Sequence, residues 1–175
     1  YGLVFRMYND GLAYRFTTKM KNDIVVVDEE ADYTFSSDHM AFAPYVNSKK
    51  ATFEEQFMNS FEQPYVHEPI TKLNSKRLMI LPLLVELDGG KKLCITEADL
   101  EDYPGMFLNN SIDKPVLKPI FASYPKVKKQ GGHNNLQMLV EEREDYIAKT
   151  SGTRAFPWRV FIVSENDKQL ADCDM

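Results

Sequence analysis

The chain has 175 residues, 43% of them hydrophobic and 12% aromatic, with a net charge of −5 at pH 7 and an isoelectric point near 5.3. That composition is globular and long enough for one domain with its own core, and its acidic balance lacks the basic face that nucleic acid or an anionic membrane surface demands. The most apolar run, Leu78 to Val85, is strand-sized and contains Pro82, far short of the roughly 20 residues that cross a bilayer as a helix, so no membrane span is expected. The chain opens on Tyr1 without a methionine or a leader-like run, and reads as a processed protein or an excerpt from a longer one.

In chain order, Leu3 to Tyr8 and Leu12 to Thr17 flank Asn9-Asp10-Gly11, residue types that tolerate the positive φ of tight hairpin turns. Aromatic and aliphatic side chains alternate with Arg6 and Arg15 in the two arms, the period-two pattern of a sheet with one wet face. Ile24 to Val27 is a β-branched run suited to a third strand, followed by the acidic turn Asp28 to Asp32 and by Tyr33-Thr34-Phe35. The first third therefore predicts a meander of short strands.

Between residues 36 and 75, Pro44, Pro64 and Pro69 interrupt any regular pattern. The one helix start is Thr52, with Glu55 three residues on, in a segment reaching Ser60. The aromatics Phe42, Tyr45, Phe53, Phe57, Phe61 and Tyr65 read as packing that pins a long loop rather than as a platform for sugar rings. Lys76 to Leu87 and Lys91 to Glu97 form a second hairpin around Asp88-Gly89-Gly90. Pro115 to Tyr124 is an extended strand. Lys126 to Asn135 reads as a polar loop, with the basic run Lys126, Lys128 and Lys129 solvated. Leu136 to Thr150 fits helix and strand periods alike, and its strand neighbours favour β. Phe156 to Val163 is the final strand, with Pro157 near its start and Trp158 in the core.

The second arm of the second hairpin runs into four carboxylates, Glu97, Asp99, Glu101 and Asp102, and then the turn Tyr103-Pro104-Gly105. A strand fixes the backbone of Glu97 while the following loop leaves its oxygens free for a cation or a sugar hydroxyl; the alternative reading is a solvated acidic turn. Other catalytic patterns are missing from the sequence: no nucleophile elbow, phosphate-binding glycine loop, C-x-x-C pair or EF-hand loop occurs. His67-Glu68-Pro69 is not the helical zinc motif, because proline follows and the second histidine is absent. His39, His67 and His133 lie far apart and read as loop or hydrogen-bonding residues. Cys94, in an apolar strand, and Cys173, near the end, leave the redox compartment open.

Four separated segments, VFRMYNDGLAYRF (Val4 to Phe16), LCITEADLEDYPGM (Leu93 to Met106), GGHNNL (Gly131 to Leu136) and YIAKTSGTRAFPWRV (Tyr146 to Val160), together resemble the amino-terminal domain of glycoside hydrolase family 97. Members of that family are α-glucosidases and α-galactosidases. The resemblance spans almost the whole chain. It implies an all-β fold, an antiparallel β-sandwich of the galactose-mutarotase type, packed in the parent enzyme against a (β/α)8 barrel and a smaller carboxyl-terminal β domain. Residues 1–175 would be a single domain, a fragment of that sandwich with an open edge on its N-terminal side. The family's catalytic carboxylates belong to the barrel, so no catalytic residue is expected here and the fragment by itself should be inactive.

The resemblance also implies a calcium ion beside the scissile bond, held by barrel glutamates and by one glutamate of the amino-terminal domain. By its place in ITEADL, Glu97 matches that ligand, and in the isolated chain it should be a partly exposed carboxylate with no ordered cation. The implied partners are the parent chain's own barrel and an α-linked oligosaccharide, and the implied location is the periplasm or another exported site in a bacterium. A different reading is a stand-alone carbohydrate-binding β-sandwich, in which Trp158, Tyr103 or Tyr45 would be exposed to stack on a glycan.

Overall fold

In the computed structural model, which describes residues 1–47, 51–58 and 62–173, the chain opens with an antiparallel hairpin, β1 (Gly2–Tyr8) and β2 (Gly11–Lys19), in register from Tyr8↔Gly11 to Gly2↔Thr17. Neither Asn9 and Asp10, which connect the arms, nor Gly11 adopts positive φ, contrary to the turn their residue types suggest. Tertiary contacts fix the turn instead. The Asp10 carbonyl accepts the Val163 N–H at 2.7 Å, and its carboxylate lies 3.2 Å from Cys173 Sγ.

The short strands β3 (Ile24–Val26), β4 (Tyr33–Thr34) and β5 (Met40–Ala43) follow, then helix α1 (Phe53–Gln56). The Thr52 side chain accepts the Glu55 N–H while the Glu55 carboxylate returns to the Thr52 N–H, the reciprocal cap that the spacing predicts. The expected segment extended to Ser60; Ser60 and Phe61 lie outside the described residues. Strands β6 (Val66–Pro69), β7 (Leu83–Glu86) and β8 (Lys92–Ala98) come next. Gly89 (φ 74°) and Gly90 (φ 81°) make the turn between β7 and β8, a conformation that needs glycine. The first arm of this hairpin is shorter than Lys76 to Leu87, because Met79 is drawn into isolated bridges with Tyr45 and Leu108 and Pro82 has no N–H to offer a ladder.

Strands β9 (Met106–Asn110), β10 (Val116–Phe121), β11 (Pro125–Gly131), β12 (Gln137–Arg143), β13 (Ala148–Thr150), β14 (Thr153–Ala155) and β15 (Trp158–Ser164) complete the β structure, and α2 (Asp167–Ala171) follows. The expected loop from Lys126 to Asn135 is therefore a strand as far as Gly131, paired with β12 in a separate two-stranded ribbon. The ribbon is wet on both faces, so β11 shows none of the apolar alternation that marks a half-buried strand. At its base Arg143 donates to the Ser123 carbonyl at 2.7 Å and pairs with Glu54 of α1.

The main sheet runs β1-β2-β15-β8-β7-β5-β6, with β14 also paired to β2, and every pairing is antiparallel. A three-stranded sheet, β4-β10-β9, packs on one of its faces. Ala41, Ala43, Leu83, Val85 and Ile95 of the main sheet meet Met106, Leu108, Leu117 and Phe121 of the small one, all buried. Each large aliphatic side chain so buried contributes about 1.5–3 kcal/mol. The result is the expected all-β antiparallel sandwich. On the other face of the main sheet, Ala13, Trp158 and Val160 form a smaller cluster. The guanidinium groups of Arg6 and Arg15 lie 4.6 and 4.3 Å from the centre of the Trp158 ring. Among the described residues no helix is long and apolar enough to cross a membrane.

Candidate functional site

Alternation along β8 sends Ile95 and Glu97 to the face that carries the core and Thr96 and Ala98 to the other. Arg159 stands directly opposite Glu97 across the β15–β8 pairing, so the two side chains share that inner face. Arg159 is 1% exposed, and a charge so buried must be paired. Its Nη1 donates to Glu97 Oε2 at 2.7 Å, while Nε and Nη2 donate to Glu29 Oε1 and Oε2 at 2.8 and 2.7 Å. The Tyr103 hydroxyl donates to Glu29 Oε2 at 3.1 Å. The Met106 N–H reaches both Glu97 oxygens, at 3.1 and 3.2 Å.

Two carboxylates thus share one guanidinium, a cluster of formal charge −1. Burial pushes the Glu97 carboxyl above its usual range, with the Glu29 charge adding to the shift and the Met106 N–H and Arg159 opposing it. Burial alone would lower Arg159, but its hydrogen bonds to Glu29 and the charges of both glutamates outweigh this and raise it. The Tyr103 hydroxyl is raised by burial and by the charge of Glu29.

The sequence places Glu97 correctly at the end of a strand, but its oxygens are engaged rather than free. The other acids of its segment do not converge with it. Asp99, in left-handed backbone at φ 60°, pairs with Arg15 at 2.9 Å, and Arg154 binds the carbonyls of Glu101 and Asp102. No group of three or more metal-ligating side chains that could hold an ion occurs among the described residues. Glu97 fits a single-ligand contribution better than a complete cage. Its Oε1 faces Gly105, where an added Cβ would stand 3.4 Å away, so the missing side chain leaves space beside that oxygen. Gly105 also lines a cleft of about 430 Å³ with Asp102, Tyr103, Tyr124 and Lys149; Glu97 itself lines a different cleft, with Arg6, Tyr8, Thr96 and Trp158.

The remaining candidates are accounted for structurally. His67 bonds Glu86 at 2.8 Å and stacks on Phe42, His39 lies 4.0 Å from Asp88, and His133 sits in the turn of the β11–β12 ribbon. No disulfide joins Cys94 to Cys173. Trp158 and Tyr45 are 8% and 5% exposed, so two of the three aromatics named for glycan stacking are inside, while Tyr103 is half-buried with its hydroxyl committed to Glu29. Glu29 and Arg159 are the residues that sequence reasoning missed. One signal was available: an arginine at an inward position of the apolar run FPWRVFIV requires a buried acid as partner.

Two packed antiparallel sheets, with one ionic cluster carrying a carboxylate to the end of the larger sheet, define the chain as a β-sandwich domain with an anchored acidic side chain at its rim. The chain belongs to the glycoside hydrolase 97 amino-terminal family, matching the description "Glycosyl-hydrolase 97 N-terminal" over residues 1–175. It is 52% identical over 168 residues to a retaining α-galactosidase of Bacteroides thetaiotaomicron, a match that covers 95% of this chain and 25% of that relative. The chain therefore spans about a quarter of the length of this curated relative. Among solved structures it resembles a glycoside hydrolase family 97 enzyme from a Pseudoalteromonas species in complex with acarbose (TM-score 0.69, 20% identity, 98% of this chain and 22% of that one). It also resembles a β-arabinopyranosidase (TM-score 0.68, 16% identity, 94% and 25%). At such identities these likenesses speak for the fold.

Proposed function

We propose that the chain is the non-catalytic amino-terminal domain of a calcium-dependent α-glycosidase, an α-glucosidase or α-galactosidase. In this reading Glu97 supplies one calcium ligand, and the domain supplies part of the active-site wall, to a (β/α)8 barrel of the parent chain. The observation that carries the reading is Glu97 itself: a carboxylate of the ITEADL segment, fixed at a strand end, with Oε1 beside the gap left by Gly105. Calcium is a hard ion that takes six to eight oxygens, so one carboxylate here would complete a shell built mainly by the partner domain. Bound there, the ion would supply positive charge close to the glycosidic oxygen and join the two domains.

The chain's own residues do the positioning. The Met106 N–H and Arg159 fix the plane of the Glu97 carboxylate, and the Arg15–Asp99 pair pins the residue two positions on. A stand-alone glycan-binding module is disfavoured by the burial of Trp158 and Tyr45. On the same reading the parent enzyme is exported, to the periplasm of a bacterium or beyond, which cell fractionation tests.

The deciding experiment joins this domain to its barrel and measures calcium binding by titration calorimetry. Glu97→Gln should weaken binding about ten-fold or more, because a charged oxygen ligand becomes neutral. The isolated 175-residue chain should neither bind calcium tightly nor hydrolyse α-glucosides or α-galactosides. An unchanged affinity in the variant, or calcium-dependent turnover by the isolated chain, would overturn the proposal.

A further inference from the structure

We infer that Glu29 and Arg159 act as positioning residues for Glu97, setting the charge and the pose that this carboxylate offers a cation neither of them touches; the inference rests on the reading of Glu97 as a calcium ligand. A guanidinium facing Glu97 alone would cancel its charge and leave little attraction for a divalent ion. Glu29 prevents this. It occupies two of the three arginine hydrogen bonds in a fork, Nε to Oε1 and Nη2 to Oε2, so that Arg159 and Glu29 form a neutral pair by themselves. The surplus negative charge of the cluster then resides on Glu97. The side chains of Arg159, Glu29 and Glu97 are 1%, 6% and 15% exposed, so the charge left over is the one nearest the surface.

The pose follows from the same contacts. Oε2 accepts from both Arg159 Nη1, at 2.7 Å, and the Met106 N–H, at 3.2 Å, whereas Oε1, the oxygen beside Gly105, accepts from the Met106 N–H alone, at 3.1 Å. Oε2 therefore carries the charged anchor, while Oε1, with a single neutral hydrogen bond, keeps lone-pair capacity for a ligand. Glu29 is held in turn by the hydroxyl of Tyr103, two residues before Gly105, so the loop beside Oε1 is tied to the residue that sets the charge. Partners of this kind, one step removed from a metal, are worth about 10–100-fold in affinity.

The test uses the domain joined to its barrel, with calcium affinity read by calorimetry and folding checked by a thermal melt in chelator. Glu29→Gln should weaken calcium binding about 10–100-fold, although Glu97 is intact. Adding Arg159→Gln to Glu29→Gln removes the uncompensated guanidinium and should restore affinity to within about ten-fold of the parent, an outcome that a merely structural role would not give. If Glu97→Gln leaves affinity unchanged, the ligand assignment itself fails. If Glu97→Gln weakens binding but Glu29→Gln does not, or if the double variant is as weak as Glu97→Gln, this inference is overturned while the assignment stands. Should Glu29→Gln fail to fold, the double variant alone decides: affinity near that of the parent supports the inference, and a loss as deep as that of Glu97→Gln sinks it.

Discussion

Replacing Arg159 by methionine, of similar length but uncharged, would leave Glu29 and Glu97 facing one another without their shared cation. The guanidinium makes three hydrogen bonds to carboxylates and is itself 1% exposed, and removing one partner of such a buried cluster costs about 3–5 kcal/mol. For scale, two like unit charges ~5 Å apart repel by ~3 kcal/mol at an effective dielectric of ~20. Urea unfolding of the chain, followed by far-ultraviolet circular dichroism at neutral pH, would measure the loss as a lower midpoint at unchanged slope. The triple variant Arg159→Met, Glu29→Gln, Glu97→Gln should recover most of it, since neutral replacement of a buried ionic cluster is often nearly without cost. A single-variant loss under about 1 kcal/mol, the size of an exposed ion pair, would refute the reasoning.

Gly152→Ala should destabilise the chain by about 1–3 kcal/mol, because the new Cβ would fall 1.9 Å from the Asn22 carbonyl oxygen and 2.8 Å from that of Met20, both backbone; a melting temperature equal to the parent's would contradict this. Glu86 makes a pH prediction. Hydrogen bonds from Lys92 and His67 hold its carboxyl below the usual value of 4.5, so its stabilisation is present above that value and is lost as pH falls through the lower, folded one. Glu86→Gln should therefore flatten the fall in urea midpoint between about pH 6 and pH 3, and an unaltered acid limb would show that the pair with Lys92 contributes nothing.

How much of this was legible depends on the range of the interactions. Thr52 and Glu55 are three residues apart, so their mutual cap is written in one short segment, and α1 begins where the spacing says. Glu97 is found at the end of β8 because a hairpin arm, its glycine turn and the carboxylate are contiguous. Its partner Glu29 is 130 residues from Arg159 along the chain, and no local period records that distance. β11 was misread for a different reason: strand pairing without burial leaves only charge and hydrogen bonding, and a run such as KVKKQ carries no apolar signal. At Asn9-Asp10 the residue types were right for a turn, but contacts from Val163 and Cys173 chose its geometry.

The place of β15 in the main sheet has a consequence for how the chain comes together. Two hairpins, β1–β2 and β7–β8, form from neighbouring segments, yet in the hydrogen-bonded ladder they are joined through β15, which lies between β2 and β8 and is the last of the described strands. On a ribosome adding about 5–20 residues per second, β2 would wait on the order of ten seconds for that neighbour, its outer ladder unsatisfied meanwhile. The halves of the sheet should therefore zip together in one late, non-local event, slow for the reason that distant strand pairing is slow. A nascent chain stalled before Trp158 would display two unpaired edges where the finished sheet has a continuous centre.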